Sequence, residues 1–226
     1  MMKWDDYWAQ KYELHNKLYD QIAVQYRKYI IKPYLKKYLN VYFNEKAILL
    51  HAGCGGGQVE DDITSKFTII GMDTSSEALK LYKLNHNTQN LIHGDIALTG
   101  IKNESLDGIY NLGVMEHSTQ EEIHTILLEF NRILKPDGTV LLFVPPEYGS
   151  TVIFFKMVHY ILNSVLKQDI YFQPPEINRI QSRAWTENII KNTGFTMTNF
   201  NFESDDLYTH VAVVLKKSIT FKNGIV

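Results

Sequence analysis

The residues best suited to chemistry begin at a glycine-rich loop. The apolar run Ile48-Leu49-Leu50-His51-Ala52 passes directly into Gly53-Cys54-Gly55-Gly56-Gly57-Gln58. Glycines placed there permit a tight turn from strand to helix and let a ligand lie against bare backbone at the carboxyl edge of a sheet. Taken alone, such a run is also an ordinary turn. Twenty positions after Gly53, Asp73 closes the next apolar run, where a carboxylate can accept both hydroxyls of a ribose. The third run ends in Gly94-Asp95-Ile96, which brings a second carboxylate to the same edge, within reach of an exocyclic adenine amine. Taken singly, Asp95 reads first as a capping or turn residue.

These groups need a scaffold that gathers them. Short apolar runs at Ala47 to Leu50, Thr68 to Gly71, Asn90 to His93, Leu106 to Tyr110 and Thr139 to Val144 read as buried parallel strands. Helices are expected between them at about Gln58 to Ser65, Ser75 to Asn85 and Thr119 to Leu134, the second capped by Thr74-Ser75-Ser76. The alternation predicts an α/β, doubly wound sheet. Large residues at Trp8, Tyr12, His15, Tyr19, Ile22, Tyr26 and Tyr29 fall on one helical face, in a helix that should end before Pro33. Residues 1–45 are thus expected to form a helical cap and residues 46–226 the main domain. After Pro145-Pro146 the pattern breaks, and 147–183 reads as an inserted helical lid. The runs Thr196 to Phe202 and Tyr208 to Leu215 predict a closing hairpin.

The glycine loop, Asp73, Asp95 and Leu134-Lys135-Pro136-Asp137-Gly138-Thr139-Val140-Leu141, as an ordered set over residues 46 to 145, resemble the class I S-adenosylmethionine-dependent methyltransferases. The resemblance implies a mostly parallel, seven-stranded, Rossmann-like sheet with a reversed final hairpin. It implies that Gly53, Gly55 and Gly57 approach the methionine part of the cofactor, Asp73 the ribose, and Asp95 with Ile96 the adenine. Where the family usually has an acid at the end of the first strand this chain has His51, which can still hydrogen-bond the amino-acid portion but carries the wrong charge for an ammonium. The run Asn111-Leu112-Gly113-Val114-Met115-Glu116-His117 is similar to that of small-molecule methyltransferases such as those of quinone biosynthesis. That likeness turns Asn111 and Leu112 toward the cofactor and makes His117 a candidate base, against the plainer reading of a helix-capping histidine. Glu116 reads as structural.

The resemblance implies methyl transfer from S-adenosylmethionine to a small or lipid-like metabolite, most readily at oxygen. A nicotinamide-dependent oxidoreductase shares the loop and Asp73 but would want a small residue where Gln58 stands; a non-catalytic cofactor-binding protein is the other alternative. Tyr7 and Lys11 have the Tyr-x-x-x-Lys spacing of some nicotinamide reductases but precede the first strand. The histidines at 15, 86, 93, 124, 159 and 210 have no metal-ligand spacing, and no metal is expected.

Composition narrows the partners. Lys and Arg total 23 against 25 Asp and Glu over 226 residues, so the basic excess of nucleic-acid binding is missing. The lone Cys54 excludes an internal disulfide, and the acidic, aromatic start Met1 to Trp8 is unlike a secretory signal, so a cytoplasmic protein is expected. The longest apolar stretch, Val152 to Leu166, is too short and too polar to cross a bilayer. It suits a buried helix, a dimer contact, a greasy substrate pocket or peripheral membrane docking.

Overall fold

A computed structural model describes residues 4–13, 23–60, 63, 65–86, 90–165, 167 and 176–218, with the backbone alone at 10–13, 162, 163 and 165. Seven strands form one mixed sheet: β1 (Ile48–Ala52), β2 (Thr68–Asp73), β3 (Leu91–His93), β4 (Leu106–Leu112), β5 (Leu134–Val144), β6 (Phe195–Phe202) and β7 (Val211–Lys217). Their order is β3-β2-β1-β4-β5-β7-β6. β1 pairs in parallel with β2 and β4, β2 with β3, and β4 with β5, while β7 runs antiparallel to both β5 and β6. The chain therefore winds outward to β3 and returns to β4, leaving a crevice at the carboxyl ends of β1 and β4 where such sheets bind ligands.

Side chains alternate across the sheet because successive strand residues point to opposite faces. Leu49, Tyr110, Leu141, Phe143, Ala212 and Val214 face one side, together with Tyr34, Leu35, Tyr38 and Leu39 of a helix over Lys32–Tyr42. Numbering α1 over Trp4–Glu13, this second helix is α2. The opposite face, with Leu50, Ile109, Val140, Leu142, Val213 and Leu215, is covered by α4 (Gln120–Ile133) and by α6 (Arg183–Ile190). α3 spans Ser76–Asn85 and α5 Ser150–His159.

The expected starts of α3 and α4 are found. Ser75 Oγ accepts from Ala78 N–H at 3.2 Å, and Thr119 with Glu122 forms a capping box, each satisfying an amide that the first helical turn leaves open. Two expectations fail. The helix before Pro33 does not stop there: a π-helical turn at Arg27–Ile31 runs straight into α2, with Lys32 N–H bonded to Arg27 O. Within this continuous helix Pro33 forfeits one amide bond and its ring crowds the carbonyl a turn earlier, and the widened π-helical turn before it relieves that crowding. The stretch 58–65 is not the expected helix; its described residues are turns, with Ile63 N–H bonded to Glu60 O at 2.9 Å. Glu60 is drawn inward there, as described below. His15, Tyr19 and Ile22 of the N-terminal stripe and Gln173-Pro174-Pro175 of the insertion lie outside the described residues.

Candidate active site

The glycine loop crosses the end of β1 and is pinned to β2, for Gly53 N–H and Cys54 N–H both donate to Met72 O, at 2.8 and 2.9 Å. Gly53, Gly55 and Gly57 have φ of +74°, +51° and +68°, a region costly for residues with a Cβ. Two side chains near the end of α3 hold the loop's carbonyls: Asn85 Nδ2 donates to Gly56 O at 2.7 Å, and His86 Nε2 lies 2.5 Å from Gly57 O. Neither was legible in the sequence, since nothing local ties positions twenty-nine apart.

Asp73 stands at the end of β2 beside the loop. Its Oδ2 accepts from Gly55 N–H at 2.8 Å and its Oδ1 from Ser75 N–H at 2.9 Å, so it shapes the loop as well as facing the crevice. Burial pushes this carboxyl above its ordinary value, and the two amides pull it back in part. Asp95 lies beyond β3, exposed, and accepts from Ala97 N–H at 2.8 Å, the turn role expected of it taken singly; the neighbouring Ile96 is buried. Asn111 of β4 is fully buried. Its Nδ2 donates to Ala52 O at 2.7 Å, which ties β4 to the start of the loop, and its Oδ1 has no hydrogen-bond partner. Leu112 is half-buried at the strand's end.

His51 points into the protein. Its Nδ1 lies 2.5 Å from Glu60 Oε1, its ring stacks on Tyr110 at 4.4 Å between centroids, and Tyr110 OH donates to the same Glu60 oxygen. Burial alone would raise the Glu60 carboxyl, but the charge and hydrogen bond of His51, with the Tyr110 hydroxyl, hold it below its ordinary value. A carboxylate therefore does sit beneath the loop, supplied nine residues after His51.

The end of β4 turns through a short 3₁₀ helix, Met115–His117. His117 is half-buried with its N–H on Val114 O at 3.0 Å, and Glu116 beside it is buried with Oε2 lacking a hydrogen-bond partner. α1 lies across this edge. Trp4 meets the His117 ring edge-on at 5.1 Å, Asp5 Oδ1 accepts from Ser75 Oγ at 2.7 Å, and Trp8 lies over the loop. A Cβ on Gly55 would come within 2.8 Å of the Trp8 indole. From the sequence, Trp8 was read only as the start of an aromatic helical stripe, and Trp4 and Asp5 only as part of an acidic, aromatic start unlike a secretory signal. Among the described residues no three His, Cys, Asp or Glu side chains gather as a metal ion would require.

Residues 50–142 match the family described as a methyltransferase domain. Residues 50–142 of this chain thus form a methyltransferase domain. Over 138 residues it is 27% identical to the malonyl-[acyl-carrier protein] O-methyltransferase of Priestia megaterium, covering 58% of this chain and 48% of that protein. The chain spans about half the length of the curated relatives it matches. In fold the methyltransferase domain is similar to an S-adenosylmethionine-dependent methyltransferase from Methanosarcina mazei, with TM-score 0.63, 15% identity, and coverage of 80% of this chain and 97% of that one. It is similar again to magnesium protoporphyrin IX methyltransferase from Synechocystis with bound S-adenosylhomocysteine, with TM-score 0.61, 17% identity, and coverage of 83% and 82%. The methyltransferase domain's own atoms suit the cofactor. The orphaned Asn111 Oδ1 is an acceptor for an ammonium group, the loop offers bare backbone, and Asp73 and Asp95 put carboxylates along the same edge for ribose and adenine.

Proposed function

We propose that this chain methylates an oxygen of a small or lipid-like metabolite, held between the carboxyl edge of the sheet and a helical cap. The observation that carries the reading is the enclosure of His117 by α1: Trp4 packs on the imidazole at the end of β4, so an acceptor reaching that edge would lie between an aromatic wall and a titratable ring. S-adenosylmethionine, when bound, supplies a methyl group already activated by its sulfonium. In this reading Gly53, Gly55 and Gly57 admit it to bare backbone, Asn111 Oδ1 takes its ammonium, Asp73 its ribose hydroxyls, Asp95 and Ile96 its adenine, and Leu112 the wall beside it. His51 acts on the amino-acid portion only through the charge it shares with Glu60.

The protein's remaining tasks are to align the acceptor oxygen at about 3 Å and to remove its proton. His117 takes the proton on its imidazole. Oxygen as the target draws support from the Priestia relative, whose name states O-methylation. The cover is assigned to α1 and to the insertion at about 147–183; within residues 1–45, α2 is instead a layer of the sheet domain.

The test is single-turnover transfer of labelled methyl to a panel of carboxylic acids, phenols and extracted lipids, with the product's methylated atom identified. His117→Ala should lower turnover by roughly 10²–10⁴ while leaving cofactor affinity nearly unchanged. Products methylated only at nitrogen or carbon would reject the acceptor atom, and an unchanged single-turnover rate in the variant would remove His117 from the chemistry. A second reading, cofactor binding without catalysis, is favoured by one observation: His51 is turned to Glu60, so no first-strand acid faces the crevice. It predicts S-adenosylhomocysteine binding with no transfer to any acceptor.

A further inference from the structure

His51 and Tyr110 stand opposite each other where β1 pairs with β4, and both rest on one carboxylate. Glu60 Oε1 lies 2.5 Å from His51 Nδ1 and accepts from Tyr110 OH. One step further along the two strands, Asn111 Nδ2 donates to Ala52 O, which leaves Asn111 Oδ1, without a hydrogen-bond partner, as the acceptor assigned above to the cofactor's ammonium. Glu60 thus grips the strand pair immediately before the group that meets the cation.

Buried charge is screened little by solvent, and Glu60 is fully buried with His51 only 3% exposed. The charges of this pair reach the crevice. Burial raises the Asp73 carboxyl, and His51 is among the groups that pull it back; burial, then Asp73, then Glu60 push up the Cys54 thiol within the glycine loop. Tyr82 and Tyr110, which also face the Glu60 carboxylate, stay neutral, because burial and then the charge of Glu60 push both hydroxyls up. At either protonation of His51 the pair is therefore one charge more negative than the imidazole by itself. That difference bears directly on an ammonium. An imidazolium alone at the end of β1 repels it, whereas the Glu60 carboxylate cancels that repulsion and, behind a neutral imidazole, attracts the cation.

We propose that Glu60 supplies, from beneath the glycine loop, the negative charge that holds the cofactor's ammonium, in place of the acid absent from the end of β1. The inference rests on the cofactor placement proposed above. It is tested by calorimetry of the full chain with S-adenosylhomocysteine and with its deaminated analogue, which keeps the carboxylate and lacks the ammonium. His51→Gln and His51→Gln/Glu60→Gln are compared, so that no imidazole proton compensates for the lost charge. Removing the carboxylate should weaken S-adenosylhomocysteine binding about tenfold and leave the analogue within about twofold. Glutamine keeps an oxygen for the Tyr110 hydroxyl, and circular dichroism checks the fold. Should His51→Gln fail to bind or the double variant fail to fold, Glu60→Gln is compared with wild type in the same way. Equal weakening of both ligands overturns the proposal by making Glu60 a structural clamp of β1 and β4, and unchanged binding of both overturns it outright. A wild type that binds neither ligand rejects the cofactor placement; a wild type that binds S-adenosylhomocysteine, with variants that keep its preference over the analogue, rejects the role of Glu60 alone.

Discussion

The carboxylate of Asp73 accepts from the amides of Gly55 and Ser75, so the group proposed to receive ribose hydroxyls also fixes the conformation of the loop those hydroxyls approach. Asp73→Asn keeps the shape and removes the charge with one acceptor. It should weaken S-adenosylhomocysteine binding by about 1.5–3 kcal/mol, the range for a hydrogen bond to a charged group, and calorimetry returning wild-type affinity would reject the assignment. Glu116 is a different kind of carboxyl. Burial pushes it up to about 8 from an ordinary 4.5; the nearby Glu176 adds to the rise, while its own backbone amide and Arg179 oppose it. Its backbone oxygen meanwhile receives the amides of Ile177 and Asn178 at 2.6 and 3.0 Å, which fastens the end of the insertion to the end of β4. A group raised in the folded state contributes its stability in full below its unfolded value and loses it as the pH climbs through the folded one, so the window here runs from 4.5 to about 8. Glu116→Gln removes that titration. Urea denaturation at about pH 5 and about pH 9 should therefore show wild type losing on the order of a few kcal/mol relative to the variant between the two, and parallel stabilities at both would mean that the carboxyl ionises freely in the fold.

Among the elements, α1 meets the edge of the sheet that carries the loop through the Asp5 hydrogen bond to Ser75, the Trp8 indole over the loop and the Trp4 contact with His117. A ligand lying on bare backbone at Gly55 competes with Trp8 for that surface, so cofactor binding should change the indole's surroundings. Titration with S-adenosylhomocysteine is expected to alter tryptophan fluorescence in wild type and to lose most of that change in Trp8→Phe; a change that survives intact places the cofactor elsewhere. None of these contacts could be read from spacing, because Asp5 and Ser75 are 70 residues apart. What was legible is local. The caps at Ser75 and Thr119 each join a side chain to an amide three residues on, and the glycines of the loop declare their own backbone freedom. The strands were legible because the alternation of Leu49 and Leu50, or of Leu141 and Leu142, fills both faces of a buried sheet. Pro33 misled because the π-helical turn at Arg27–Ile31 lets the helix run through the proline, which residue spacing does not announce. The expected helix at 58–65 failed because Glu60 answers to His51 and to Tyr110, the latter fifty residues ahead, and not to its own neighbours.

For the molecule as a whole, the proposed cofactor site is assembled from the ends of β1, β2, β3 and β4, with β1 and β4 paired in the middle of the sheet. A ligand gripping central strands stabilises the global fold, whereas one gripping only a peripheral helix would hold that helix alone. The three tryptophans allow the two to be separated. Trp4 and Trp8 belong to α1, while Trp185 packs against the core on the α4 and α6 side of the sheet. In Trp4→Phe/Trp8→Phe, fluorescence reports Trp185 by itself. S-adenosylhomocysteine at about a hundredfold its dissociation constant for that variant, measured independently by calorimetry, should add about 2.7 kcal/mol to the unfolding free energy. The shift should be the same by Trp185 fluorescence and by far-ultraviolet circular dichroism, because both report one cooperative transition of the sheet and its two covering layers. A shift confined to circular dichroism would mean that the ligand orders a peripheral segment. No shift by either probe, with binding still measured by calorimetry, would mean that the unfolded chain binds the ligand as well as the folded one, which a site built from four separated strand ends forbids.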